Sequence, residues 1–139
     1  MSGSAHERFR VPMRIYWEDT DAAGIVFYAN YLKFFERART EWLRALGIAQ
    51  GALKERTGGM FVVSETSLRY LQPARLDDEL IVTAQLEAAG RASLIIAQQA
   101  RRGDTLLAAG TIRIGWVDAA TLRPERIPPA ILQVLDTKA

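Results

Sequence analysis

The residues best suited to chemistry lie in one short stretch, residues 16–31, which reads Tyr-Trp-Glu-Asp-Thr-Asp-Ala-Ala-Gly-Ile-Val-Phe-Tyr-Ala-Asn-Tyr. It places carboxylates, among them Asp21, on a glycine-containing loop directly before a strongly helical pattern. The start of a helix offers unpaired backbone N–H groups and a partial positive charge, which suit a carbonyl oxygen that becomes an oxyanion. A carboxylate beside such a site can act as a nucleophile or as a general base. The stretch therefore outlines an acyl-transfer site without serine, cysteine or histidine.

The composition excludes several other kinds of site. The 139 residues contain no cysteine and one histidine, His6, which lies in a polar amino-terminal segment. Disulfides, thiolate catalysis and cysteine metal sites are therefore excluded, and a histidine-based dyad or metal cluster has little to draw on. We accordingly expect no metal ion and no cofactor.

Charge and hydrophobicity indicate an ordinary globular protein. Hydrophobic residues make up 49% of the chain and charged residues 24%, and the formal net charge is +2. We expect a single domain over residues 9–139 after a disordered tail of residues 1–8. No run of like charges indicates a nucleic-acid partner. No apolar run approaches the roughly 20 residues that span a bilayer, and no signal-peptide core is present, so we expect a cytoplasmic protein.

The loop is followed by the pattern of one long helix. Its apolar positions recur at helical spacing: Tyr31, Phe34, Phe35, Ala38, Trp42, Leu43 and Leu46. Asn30 is predicted as the N-cap of this helix, with a start one turn earlier as the alternative, and Gly47 is predicted as the residue just beyond its end. The charged residues of the helix are predicted to form a solvated or ion-paired surface: Glu36, Arg37, Arg39 and Glu41.

The rest of the chain predicts mainly strands. Residues 9–17 alternate, but Pro12 restricts that strand to residues from Met13 onward or to a sheet edge. Residues 48–57 predict a short second helix and residues 128–135 a closing one. Four further strands are predicted between turn residues, the last three joined as antiparallel hairpins: residues 60–71, 79–89, 92–101 and 105–117. One long helix followed by such a series predicts an α+β fold.

Residues 16–31 and 35–44, the latter reading Phe-Glu-Arg-Ala-Arg-Thr-Glu-Trp-Leu-Arg, resemble hotdog-fold acyl-CoA thioesterases. The branch they resemble is the YbgC type, which is associated with the Tol-Pal system and related to 4-hydroxybenzoyl-CoA thioesterase. Tyr70 and residues 73–78, Pro-Ala-Arg-Leu-Asp-Asp, extend the resemblance over nearly the whole chain. It implies a curved antiparallel sheet of about five strands wrapped around one long helix. It also implies a homodimer or homotetramer with the substrate at the subunit interface.

The resemblance implies hydrolysis of an acyl-CoA thioester to a carboxylic acid and coenzyme A. Asp21 falls on the family's catalytic carboxylate, and the Tyr28 backbone N–H falls on the group that polarises the thioester carbonyl. Gly24 is interpreted as a substrate-site residue needed for backbone freedom or close approach to the ligand. YbgC-type members commonly have histidine at the position of Tyr28, whereas the hydroxybenzoyl-CoA enzyme has tyrosine. The preference for an aromatic or aliphatic acyl group therefore stays open.

Three further residues are candidates for binding the coenzyme A part of the substrate. Arg91, Ser93 and Arg123 match positions that contact coenzyme A in the hydroxybenzoyl-CoA enzyme. Arginine binds phosphate well because its guanidinium is planar and always charged. Each of the two arginines, taken singly, is equally consistent with an ordinary exposed side chain.

Alternatives stay open for the site and for the function. Aspartate is common in turns and caps, so residue chemistry alone also allows a structural role for Asp21. Asp19 is interpreted as structural, in a turn or in an ion pair with Arg39. A hotdog hydratase or dehydratase is disfavoured because those enzymes typically rely on histidine. A non-catalytic module that binds acyl-CoA or acyl-carrier protein is the remaining alternative.

Overall fold

Five antiparallel strands form one sheet in the order β1-β3-β4-β5-β2. The structure is a computed structural model that describes residues 9–138, so the predicted tail over residues 1–8 lies outside the described residues. The strands are β1 (Phe9–Arg14), β2 (Gly59–Tyr70), β3 (Glu79–Ala89), β4 (Ser93–Arg102) and β5 (Thr105–Asp118). The helices are α1 (Asn30–Ala45), α2 (Gln50–Thr57) and α3 (Pro129–Lys138). The predicted elements and the α+β class are confirmed, with boundaries that differ by at most three residues except at β1.

The core lies between α1 and the inner face of the sheet. Phe34, Phe35 and Leu43 on α1 are fully buried, and Trp42 is 4% exposed. The residues that face them alternate along the strands, as Leu94 and Ile96 do on β4. A helix with a wide apolar stripe and a sheet with one apolar face each need a partner, and each supplies it to the other.

Strand β1 shows how the sheet tolerates a proline. The strand runs from Phe9, and Pro12 lies opposite Ile81 of β3. Strand β1 is an edge strand with a neighbour on one side only. Proline is tolerated at such an edge, whereas in a central strand its missing N–H would remove a hydrogen bond of the ladder. Of the two predicted placements the edge position is therefore confirmed, whereas a start at Met13 is wrong.

The prediction of a solvated or ion-paired surface is wrong for Arg39. Its side chain lies one turn after Phe35, on the side of α1 that faces the sheet, and the residue is only 8% exposed. Its guanidinium donates to Oε1 of Gln98 at 3.0 Å. The Gln98 amide in turn donates to the backbone carbonyls of Phe35 and Thr83, each at 3.1 Å. Burial lowers the pKa of Arg39, and nearby Glu36 partly opposes that shift.

The two ends of α1 differ in how well the sequence predicts them. Gly47 adopts φ +88, the left-handed conformation expected just after a helix, so this prediction is confirmed. Asn30 is wrong as the N-cap, because the capping position is Ala29 and no side chain caps the helix. The helix begins at Asn30 itself, and the Asn30 side chain bonds to the Asp19 carbonyl and not to the helix.

Within residues 9–138 no helix is long and apolar enough to cross a membrane.

We predict that Gln98→Leu destabilises the fold. The change leaves the buried guanidinium of Arg39 without its acceptor and removes a donor from two buried carbonyls. Loss of such partners should lower the free energy of unfolding by about 2–3 kcal/mol, measured by urea denaturation. Gln72→Leu changes an exposed loop glutamine and should alter the free energy of unfolding by less than about 0.5 kcal/mol. Equal effects of the two substitutions would contradict the interpretation.

Candidate active site

The loop that contains Asp21 is held by backbone hydrogen bonds on both sides. It folds back on itself, because the Asp21 N–H donates to the Ile25 carbonyl at 2.9 Å. The Val26 N–H then donates to the Ala74 carbonyl at 2.8 Å, and the Gly24 carbonyl accepts from the Leu76 N–H. The loop is thus attached to residues 73–78 almost as an additional short strand.

The Asp21 carboxylate is exposed and is fixed through one of its two oxygens. Oδ1 accepts hydrogen bonds from the backbone N–H groups of Ala23 at 2.9 Å and Ile25 at 3.4 Å. Among the hydrogen bonds within residues 9–138, none is accepted by Oδ2. Asp21 therefore forms the turn that aspartate favours, while one carboxylate oxygen stays available. No group of three or more potential metal ligands occurs within those residues.

Gly24 is selected by backbone conformation and not by close contact within the chain. Its φ of +80 lies in the left-handed region that other residues rarely adopt. A Cβ atom built on Gly24 would meet nothing within 4 Å. Of the two predicted reasons for this glycine, the structure of a single chain supports backbone freedom.

Asp19 is buried and joins the loop to the start of α1. Its Oδ2 accepts from the Tyr16 N–H at 2.9 Å, and the residue is 6% exposed. Its backbone carbonyl accepts from the Phe27 N–H at 3.0 Å and from the Asn30 side-chain amide at 2.8 Å. The predicted ion pair with Arg39 is absent from the described part of the chain, since that guanidinium bonds to Gln98 instead. The predicted turn role is confirmed.

The backbone before α1 leaves N–H groups unpaired. Within residues 9–138 the N–H groups of Tyr28 and Ala29 donate no hydrogen bond to the protein. Their neighbours are paired, because Phe27 donates to Asp19 and the Asn30 N–H donates to the Phe27 carbonyl at 2.8 Å. A fixed but unpaired N–H just ahead of a helix is a ready hydrogen-bond donor to an external acceptor.

Three tyrosines line a pocket of about 250 Å³ next to this backbone. The ring of Tyr70 lies 5.9 Å from that of Tyr28 and 5.6 Å from that of Tyr31, measured between centroids. Tyr28 is 61% exposed and Tyr70 is 46% exposed, although both rings are large and largely apolar. Burial raises the pKa of Tyr31 and of Tyr70 above the ordinary value of a phenol. Pro73 also lines the pocket. The family resemblance included Tyr70 and Pro73, but the sequence did not predict that they lie beside Tyr31.

An ion pair that the sequence did not reveal holds the segment behind the loop. Oδ2 of Asp78 accepts from the Arg102 guanidinium at 2.8 Å and from the Arg75 N–H at 2.9 Å. Arg102 also donates to the Pro73 carbonyl at 3.2 Å. Because residues 73–78 carry the Asp21 loop, this pair supports the loop from behind. Arg102 follows the alternating part of β4 and gave no local signal of this role.

Arg91, Ser93 and Arg123 all lie at the other end of the sheet. Arg91 sits in the β3–β4 turn, Ser93 begins β4, and Arg123 follows β5. The segment after β5 approaches that turn, because the Ile127 N–H donates to the Arg91 carbonyl at 2.8 Å. The Asp21 loop adjoins the opposite ends of the same strands, on the order of 30 Å away along β3. Within one chain the two groups of predicted site residues are therefore not brought together.

Comparisons with known proteins agree with this architecture. The model of the thioesterase-like superfamily matches residues 15–135. Acyl-CoA thioesterase YbgC of Haemophilus influenzae is 38% identical over 123 residues, which cover 88% of this chain and 90% of that relative. Acyl-CoA thioester hydrolase YbgC of Escherichia coli O6:H1 is 40% identical over 126 residues, covering 89% and 92% respectively.

The solved structures include a probable thioesterase from Bartonella henselae. It matches with a TM-score of 0.82 and 28% sequence identity, and the match covers 88% of this chain and 100% of the Bartonella henselae chain. The resemblance seen in the sequence and the hotdog fold that it implied are both confirmed. The chain belongs to the thioesterase-like superfamily and, within it, to the YbgC-type acyl-CoA thioesterases.

Proposed function

We propose that this protein hydrolyses acyl-CoA thioesters to a carboxylic acid and coenzyme A, with Asp21 as the reacting carboxylate. The observation that carries the proposal is that an available carboxylate oxygen and an unpaired backbone N–H occur in one loop held by hydrogen bonds. Asp21 keeps Oδ2 available, and seven residues later the Tyr28 N–H is unpaired. Family membership supplies the reaction class, and these two groups supply what the reaction requires.

The Tyr28 N–H polarises the thioester carbonyl by donating a hydrogen bond to its oxygen. Its hydrogen bond to the carbonyl oxygen strengthens as that oxygen gains negative charge, which lowers the barrier to attack at the carbonyl carbon. The acyl group enters the pocket lined by Tyr31 and Tyr70. No metal ion or redox cofactor takes part, and coenzyme A arrives with the substrate.

Asp21 acts by one of two routes that give the same products. As a nucleophile, Oδ2 bonds to the carbonyl carbon, the C–S bond breaks, and water then cleaves the resulting anhydride. As a general base, Asp21 takes a proton from water while the water oxygen attacks, and the C–S bond breaks in the next step. In both routes the thiolate of coenzyme A leaves and is protonated.

The coenzyme A part is bound by Arg91, Ser93 and Arg123 of a second copy of the chain. One chain keeps these residues at the end of the sheet opposite Asp21, so a composite site brings both groups to one substrate. The sheet has two edges, and that of β1 carries Pro12, which discourages pairing. Strand β2 is the longer free edge, and its Val63 is 51% exposed. A homodimer or a tetramer built from it follows.

We predict that Asp21→Asn abolishes most turnover while the protein still folds and binds acyl-CoA. Asparagine keeps the shape and can still accept the hydrogen bonds of the turn, but it is neither a base nor an effective nucleophile. The kcat for thiol release should fall by about 100-fold to 10,000-fold. Asp104→Asn, in the exposed β4–β5 turn, is the matched control and should leave kcat unchanged.

Three results would count against this proposal. Near-full turnover by Asp21→Asn with normal folding would exclude Asp21 as the reacting group. Tight binding of acyl-CoA without any turnover by the unaltered protein would favour the binding module instead. Release from acyl-carrier protein but not from acyl-CoA would identify a carrier-bound substrate.

We predict that Arg91→Ala and Arg123→Ala mainly raise KM for acyl-CoA. Loss of one phosphate contact should raise KM by about tenfold, equivalent to about 1.4 kcal/mol of binding free energy. A truncated thioester without the nucleotide should be hydrolysed equally well by the variants and by the unaltered protein, because its binding never used those arginines. Equal losses with both substrates would refute the assignment.

A complementation experiment tests the composite site. Heterodimers that carry Asp21→Asn in one chain and Arg91→Ala in the other are purified through two different affinity tags. If each site takes Asp21 from one chain and Arg91 from its partner, one site of two is intact and kcat/KM should reach about half that of the unaltered dimer. If each site lies within one chain, no site is intact, and kcat/KM should not exceed that of the Arg91→Ala homodimer.

A further inference from the structure

One backbone carbonyl beside the proposed site accepts two hydrogen bonds. The Asp19 carbonyl receives the Phe27 N–H at 3.0 Å and the side-chain amide of Asn30 at 2.8 Å. The two donors flank Tyr28, one on its amino side and one two residues beyond it. The unpaired Tyr28 N–H therefore lies between two points attached to the same oxygen.

The acceptor is itself fixed. Asp19 is 6% exposed, and its carboxylate holds the Tyr16 N–H at 2.9 Å. The Asp19 N–H also donates to the Tyr16 carbonyl at 3.0 Å, which closes a short turn. Asp21 follows two residues later on the same backbone. A bond to the Asp19 carbonyl is thus a bond to the segment that carries the reacting carboxylate.

Asn30 is not required by the helix that it begins. It is not the capping residue, and its side chain bonds to the Asp19 carbonyl, which lies outside the helix. Asparagine is a weaker helix former than alanine, so helix stability alone favours a different residue at this position. The side chain therefore links two segments at the expense of local propensity.

We propose that Asn30 is a positioning residue that fixes the Tyr28 N–H relative to the Asp21 carboxylate. The inference rests on the proposed hydrolysis and names a residue that acts through two others without touching the substrate. Its amide, through the Asp19 carbonyl, sets the distance between the group that polarises the carbonyl and the group that reacts. Misplacement of about 1 Å between such groups can cost roughly 100-fold in rate.

The kinetic consequence is selective. Substrate affinity depends on the coenzyme A and acyl contacts, which Asn30 does not make. Polarisation of the carbonyl matters most when negative charge develops on its oxygen, so a misaligned Tyr28 N–H affects the chemical step. Loss of the Asn30 bond should therefore lower kcat and leave KM nearly unchanged.

The test uses two variants in the full chain, Asn30→Ala and Asn30→Asp. Both remove the amide donor, yet alanine improves helix propensity and aspartate adds a favourable negative charge in the first turn. We expect kcat to fall by about 10-fold to 100-fold in both, with KM changed by less than about threefold and the protein still folded at the assay temperature. Lys33→Ala, an exposed first-turn residue of the same helix, should keep full kcat.

A spectroscopic readout separates positioning from a general structural role. Acyl-CoA labelled with carbon-13 at the thioester carbonyl is bound to the Asp21→Asn protein, which should not turn it over, and its C=O stretch is recorded by difference infrared spectroscopy. A polarising hydrogen bond lowers that frequency relative to free substrate. Adding Asn30→Ala should return the band toward its free position.

The outcomes are distinguishable. Asn30 variants that keep the kcat of Lys33→Ala would overturn the positioning role alone, because hydrolysis itself would persist. A fall in kcat with an unchanged carbonyl band, or one that parallels a loss of folded protein, would also overturn it. Absence of acyl-CoA turnover in the unaltered protein would overturn the proposed function and this inference with it.

Discussion

A backbone N–H can polarise a substrate carbonyl only when it is held rigidly and left unpaired by the protein. Tyr28 meets both requirements because α1 begins two residues later and is buried along its apolar side. Packing of Phe34 and Phe35 against the sheet fixes the helix, and the helix fixes the direction of the N–H. The Asp21 loop is then attached to this frame through the carbonyls of Asp19 and Ala74. The packing of the core therefore also determines the geometry of the candidate site.

The antiparallel sheet imposes a second constraint, which is distance. Each connection between β3, β4 and β5 is a short hairpin, so the turn with Arg91 and the loop with Asp21 lie at opposite ends of extended strands. A strand advances about 3.3 Å per residue, and no side chain spans ten residues of strand. Side chains at the two ends of one sheet therefore do not meet at one point. Strand length and family membership both support the proposed composite site.

The sequence predicts the structure best where the signal is local. The apolar spacing of α1, the glycine after it and the turn residues between strands each report the conformation of their own segment, and those predictions were confirmed. It failed where a polar side chain has a distant partner. Arg39 bonds to Gln98, 59 residues away, and Asn30 bonds to Asp19 instead of capping its helix. Helical spacing places Arg39 on the buried face, but only the fold brings it an acceptor. The predicted roles of Asp21, Tyr28 and the coenzyme A contacts stay predictions.

The groups proposed to do the chemistry are not fully paired within the protein. Oδ2 of Asp21 and the Tyr28 N–H lack protein partners within residues 9–138, and the large rings of Tyr28 and Tyr70 stay half exposed. Gly24 occupies a conformation that most residues avoid. Elsewhere the same chain pairs its buried polar side chains thoroughly, as the Gln98 network illustrates, and no buried side-chain nitrogen or oxygen of the described residues lacks a partner. The Asp21 loop differs in that an available carboxylate oxygen and an unpaired N–H lie seven residues apart, as the proposed hydrolysis requires.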